Sequence, residues 1–252
     1  IEGYLAYYDQ TGDQALIKTC WNAMMGNLRW FHDLSDERDD LLLDSEWHTK
    51  RGIDAAYGGF HGDNSLVKGY MDNTGIHCAF SCTYLIAMQC ALKLARIIAR
   101  DSDAAELQQR IDTISQSIKE MFWDENKGCF TDNHKFTTHS VHASLLAVRA
   151  GIVSEDRLER IRAHVRRSLR SIFVNGYDPT DGAYVSPHYT FYILDGLYKL
   201  GLCDTAENVI RQGWGWMLAK GLVTCPEFFN LRDSVCHAWS ANPVYYLSRY
   251  LL

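Results

Sequence analysis

The stretch Ser140-Val141-His142-Ala143-Ser144-Leu145-Leu146-Ala147-Val148-Arg149-Ala150-Gly151-Ile152-Val153-Ser154-Glu155-Asp156-Arg157-Leu158-Glu159-Arg160-Ile161-Arg162-Ala163-His164-Val165 holds two helices of opposite kinds. The first, 138–150, is apolar on nearly every side, so it must be covered all round. The second, 155–173, repeats apolar residues at three- and four-residue intervals among arginines and acids, which gives one buried stripe and one wet face. Gly151 suits the residue that closes a helix, and Ser154-Glu155 suits the start of the next. The same alternation runs outward in both directions. Segments 75–92, 187–200 and 238–251 are thoroughly apolar or aromatic, whereas 104–122 and 204–219 carry charge along one side. Helices are expected near 2–10, 14–33, 75–99, 104–122, 138–150, 155–173, 187–200, 204–219 and 238–251. Inner and outer rings follow, which is the logic of an all-α (α/α)₆ toroid. An open solenoid of helix pairs lacks support because no fixed sequence period is present; a simple bundle is the other all-α alternative. With four prolines and no Ser/Gly/Pro-rich divide, residues 1–252 read as one domain.

Of the 252 residues, 47% are hydrophobic and 22% charged, the balance of a folded globular chain. A net charge of −6 gives no global attraction for nucleic acid or an anionic membrane. No apolar run is expected to span a bilayer, since the helix from Ile76 to Ile98 carries Gln89, Lys93 and Arg96. The eight cysteines form no C-x-x-C pair and read as buried free thiols, which leans toward a reducing, cytoplasmic compartment. No cofactor is implied: phosphate-cradling glycine loops, G-x-S-x-G and H-E-x-x-H are all missing. His139 and His142, three apart on one expected helix face, read as core or pore-lining residues rather than metal ligands. Asp36-Glu37-Arg38-Asp39-Asp40 reads as solvated surface.

Chemistry concentrates between Trp214 and Trp239. A helix ends near Gly221, a loop presents Glu227 between Pro226 and Phe228-Phe229, and the next helix opens with His237 and Trp239. A carboxylate held stiffly beside Pro and two Phe suits acid–base work. It could equally cap the next helix or pair with Arg232. His237 and Trp239 could bind a sugar through a ring nitrogen and an aromatic face, or could be core. The long segment 34–74, centred on Tyr57-Gly58-Gly59-Phe60-His61-Gly62, offers Trp47, Asp54, Tyr57 and His61 as pocket walls.

Three sets of residues resemble the α-L-rhamnosidase family of glycoside hydrolases (family 78). Tyr7-Tyr8-Asp9-Gln10-Thr11-Gly12-Asp13 with Trp30-Phe31 is similar to its early barrel hairpin, and Phe122-Trp123-Asp124-Glu125-Asn126-Lys127-Gly128 to its mid-domain turn. The specific part is Trp214, Met217, Gly221, Thr224 and Glu227, followed by Cys236-His237-Ala238-Trp239-Ser240-Ala241 and Pro243. The resemblance implies an inverting hydrolase that releases terminal α-L-rhamnose from a glycoside or polysaccharide. In it Glu227 would be the general base, and His237 and Trp239 would line the rhamnose pocket. Two departures accompany it. The family's acid-rich motif, source of the general acid, has no match ahead of the early hairpin, and Asp54 is followed by Ala55 where the family tends to place Trp. About nine helices where twelve are expected imply a toroid lacking its N-terminal part, with flanking domains in the natural protein. The alternatives are a noncatalytic carbohydrate binder that has lost the acid, and a sugar epimerase on the same toroid using His188 and His237.

Overall fold

The computed structural model describes residues 1–44, 75–135, 138–174, 185–229 and 234–251. Trp47, Asp54, Tyr57 and His61 lie outside the described residues. The helices are α1 (Glu2–Thr11), α2 (Gln14–Ser35), α3 (Cys78–Ile97), α4 (Asp101–Phe122), α5 (Val141–Arg149), α6 (Glu155–Val174), α7 (Thr190–Lys199), α8 (Cys203–Ala219) and α9 (Pro243–Tyr250). A two-residue hairpin pairs β1 (Trp123–Asp124) with β2 (Cys129–Phe130). The sequence expectation held no strands; the mid-domain turn makes this one, with Gly128 at φ 69° where Arg160 leaves no room for a Cβ.

The expected inner and outer rows are present. Every residue of α5 from Val141 to Val148 is buried, and α3 is buried along most of its length. In α6 the buried stripe is Ile161, Val165 and Leu169, spaced for one helix face. α3 packs on α1 and α5, and α5 on α7, forming the inner row; α2 and α4 lie against α3, α6 against α5, and α8 against α7. Tyr246 of α9 continues that row, stacking on Tyr198 and donating its hydroxyl to the Phe191 carbonyl at 2.6 Å.

Short connections, Gly12-Asp13, 98–100, 150–154 and 200–202, lead from each inner helix to the next outer one. Long connections, 36–77, 123–140, 175–189 and 220–242, lead back. Because neighbouring helices alternate in direction, all the long connections leave from one end, the N-terminal end of the inner helices. That end is a rim, and its described parts are stitched together. Asp44 bridges to Ile76 and His77 to Asn133, while the buried Asp132 carboxylate accepts from the Ser140 amide and hydroxyl.

Deeper along the inner row, a buried ionic group joins three helices. Arg149 of α5, with its side chain 7% exposed, donates to Asp195 of α7 at 2.6 Å and to Glu2 of α1 at 2.8 Å. It also lies over the Tyr192 ring. Burial would discharge the guanidinium, but the two carboxylates hold its pKa above the ordinary value.

Several expectations are corrected. The segment 238–251 is not one helix, for a 3₁₀ turn at Ala238–Ala241 precedes α9. Pro243 has no amide to donate backward, so the helix restarts with Pro in its first turn. Nor is that segment covered on both faces, since Val244, Tyr245 and Tyr250 are exposed. His139 precedes α5 rather than sharing a helix face with His142, and bonds Asp124 at 2.8 Å; His142 is buried against Tyr189. Four cysteines are buried, but Cys203 and Cys236 are exposed. Finally, α3 is by length and composition apolar enough to cross a membrane, yet 78% of its most apolar window is buried inside the protein, as the core of an inner row requires.

Two stability predictions follow from this packing. A Cβ on Gly196 of α7 would stand 2.9 Å from the Leu145 Cβ of α5. Gly196→Ala should therefore lower the thermal midpoint, because overpacking costs about 1–3 kcal/mol while the helix gains at most about 1. His32 is buried, and burial together with Arg110 pushes its pKa down to about 4 from 6.5. As pH falls from 6.5 to 4, the unfolded chain takes up a proton that the folded one refuses. Stability is thus complete above pH 6.5 and falls through that window by about 3 kcal/mol. His32→Gln should flatten this part of the midpoint-versus-pH curve, and an unchanged slope would contradict the assignment.

Candidate active site at the rim

The connection 220–242 folds back on itself. The Glu227 amide donates to the Ser234 carbonyl at 2.8 Å, the His237 amide to the Cys225 carbonyl at 2.7 Å, and the Thr224 hydroxyl to the Val235 carbonyl at 2.6 Å. These three bonds run two stretches antiparallel, with Glu227 across from Ser234 and Cys225 across from His237, which brings the Glu227 and His237 side chains within reach of each other. The carboxylate Oε2 lies 3.5 Å from His237 Nε2, with side chains 35% and 22% exposed. Glu227 is thus half-buried, neither capping a helix nor turned wholly to solvent.

Its flanks are anchored. Pro226 and Phe229 are buried, and Phe229 packs edge-on against Trp214 and Trp216 of α8 beside the buried Met217. The His237 ring stacks on Trp239 with centroids 4.2 Å apart and planes 24° apart. Trp239 remains 48% exposed, so it offers an indole surface at the rim. His188, from the connection ahead of α7, lies 5.5 Å from the same indole.

The structure therefore brings together Glu227, His237 and Trp239, three residues that the sequence singled out. His188 was read only for the epimerase alternative, and here it is a neighbour of Trp239. Asn242, unmarked in the sequence, joins the connections 175–189 and 220–242: its amide donates to the Pro187 carbonyl at 2.7 Å and to the Trp239 carbonyl at 3.2 Å. The sequence signal was there, an Ala241-Asn242-Pro243 run that fits the first turns of a helix, but nothing in it points to the neighbouring connection. Asp36 and Arg38 lie apart from this site; Asp36 pairs with Arg110 of α4, and Arg38 with Asp40. Among the described residues no cluster of three or more His, Cys, Asp or Glu could hold a metal ion.

The family model for the bacterial alpha-L-rhamnosidase six-hairpin glycosidase domain matches residues 4–251. The chain belongs to this family. Its members' hairpin architecture agrees with the alternating rows described above. Among solved structures, the GH78 family rhamnosidase of Bacillus sp. GL1 superposes with a TM-score of 0.74 at 22% identity, covering 97% of this chain and 25% of that one. A rhamnosidase from Klebsiella oxytoca with rhamnose bound gives a TM-score of 0.58 at 23% identity over 69% of this chain and 34% of that one. A GH63 mannosylglycerate hydrolase from Thermus thermophilus, in complex with glucose, gives 0.54 at 15% identity over 71% of this chain and 50% of its own. The chain spans about a quarter of the Bacillus protein and about a third of the Klebsiella one. No protein of curated function matches. At these identities the superpositions establish a shared toroid, and the family match establishes a glycoside hydrolase domain.

Proposed function

We propose that this domain is the catalytic toroid of an inverting glycosidase that removes terminal α-L-rhamnose from a glycoside or polysaccharide, with Glu227 as general base. The observation that carries the proposal is the rim constellation: a half-buried carboxylate 3.5 Å from an imidazole that is itself stacked on an exposed indole. Trp239 presents a face for the C–H side of a pyranose, and His237 a ring nitrogen for a hydroxyl. Trp47, Asp54, Tyr57 and His61 are assigned to the remaining walls of the pocket.

In the proposed reaction, water attacks the anomeric carbon from the face opposite the leaving oxygen. Glu227 takes the proton from that water as the new C–O bond forms, while a second carboxyl group gives a proton to the leaving oxygen as the old bond breaks. Inversion needs the two groups roughly 6.5–9.5 Å apart so that water fits between sugar and base. The second carboxyl group is not assigned to a described residue. Asp36 is committed to a guanidinium, and Asp132 to the Ser140 amide and hydroxyl. This need for a second acid separates an active hydrolase from a binder that keeps the pocket alone.

Glu227→Gln tests the base, since the amide keeps the shape and cannot accept the proton. On an aryl α-L-rhamnoside, kcat should fall by about 10²–10⁴-fold, the usual contribution of general acid–base catalysis. Calorimetry should show L-rhamnose binding within a few-fold of the unmodified chain. A Gln variant with full activity would remove Glu227 from the mechanism. Rhamnose binding without hydrolysis in the unmodified chain would identify a carbohydrate-binding toroid.

A further inference from the structure

Asn242 occupies the residue before α9, where an Asn ordinarily turns its side-chain oxygen onto the helix's free amides. Here it makes no such cap. Its amide nitrogen instead reaches the Pro187 carbonyl and the Trp239 carbonyl, while its Oδ1 is buried without a hydrogen-bond partner among the described residues. Its backbone, at φ −59° and ψ −24°, is helical rather than the extended shape a capping residue takes, so the side chain serves the link across to the next connection and not its own helix.

What the bond holds is the turn that carries the indole. Within that turn, side chains contribute little hydrogen bonding, since Ser240 Oγ is also buried without a hydrogen-bond partner among the described residues and His237 Nε2 is turned to Glu227. Its orientation is fixed from outside. Trp214 of α8 donates to the Ser240 carbonyl at 2.9 Å, the His237 amide donates to Cys225, and Asn242 ties the turn to Pro187, next to His188. Of these, the Asn242 link alone joins two different rim connections, and it does so where His188 and His237 both face Trp239.

We infer that Asn242 is a positioning residue, whose amide locks the 237–241 turn to the 185–189 connection and so holds the Trp239 face and His237 in a sugar-ready arrangement. The role in sugar affinity rests on the function proposed above; the mechanical role does not. Preorganised surfaces bind better because less ordering remains to be done on binding. The bond makes no contribution to capping α9, so replacing Asn242 by a residue that lacks the amide should release the link while leaving the helix in place.

Asn242→Ala and Asn242→Ser in the full chain make this test. Each removes the amide donor without setting a charge against the two carbonyls, so the thermal midpoint should fall by no more than about 5 °C. Acrylamide quenching of the Trp239 emission, isolated by subtracting the matching Trp239→Phe protein, should rise about twofold in both variants. Calorimetric affinity for L-rhamnose should weaken about tenfold. Unchanged quenching in both variants would overturn the inference, as would a collapse of the midpoint in both, which would make Asn242 a residue of the fold. If quenching rises but the unmodified chain fails to bind L-rhamnose, the rhamnose reading fails and the positioning role stands.

Discussion

A helix that is apolar on every side persists in water only when neighbours cover all of it, and that constraint organises this protein. Helix α5, with eight consecutive buried residues, must sit between α3 and α7 and beneath α6. The one-sided helices can then be only an outer layer. Once the two kinds alternate along the chain, every inner helix runs one way and every outer helix the other. Arg149, held between Glu2 and Asp195, shows how tightly the inner row is specified, because removing either partner would leave a charge short of compensation inside it.

The same alternation positions the site. Short connections close one end of the hairpins, and long ones gather at the other, so residues far apart in sequence meet at one rim. Glu227, His188, His237 and Asn242 belong to two connections separated by two full helices. They come together because α7 and α9 are neighbours in the inner row. Stability and reactivity are thus divided by depth, with methyl groups, rings and ion pairs filling the rows while the groups that can exchange protons stand at the helix N-terminal ends.

Much of this was legible in the sequence, and the reasons are specific. Helix positions follow from local periodicity, so the paired helices around Gly151 read correctly within a few residues. The split of 238–251 by Pro243 is also local chemistry, but its outcome depends on what packs beneath it. Glu227, His237 and Trp239 were marked by residue type and by a family-like spacing. The antiparallel bonds joining 224–227 to 234–237 leave no periodic trace, and neither does the clamp from Asn242 to Pro187, since both depend on backbone carbonyls that every residue carries. Arg149, Glu2 and Asp195 are likewise ordinary letters separated by up to 193 positions. Only the closure of the inner row makes them one group.

The central claim is that one carboxylate, beside an imidazole stacked on an indole, faces a bound sugar. A crystal structure of the chain soaked with L-rhamnose tests it most directly. The account predicts the pyranose against the exposed face of Trp239, with a Glu227 oxygen reaching the anomeric carbon through a single water. Rhamnose held elsewhere on the toroid, or a Glu227 side chain turned away from the anomeric carbon, would contradict it.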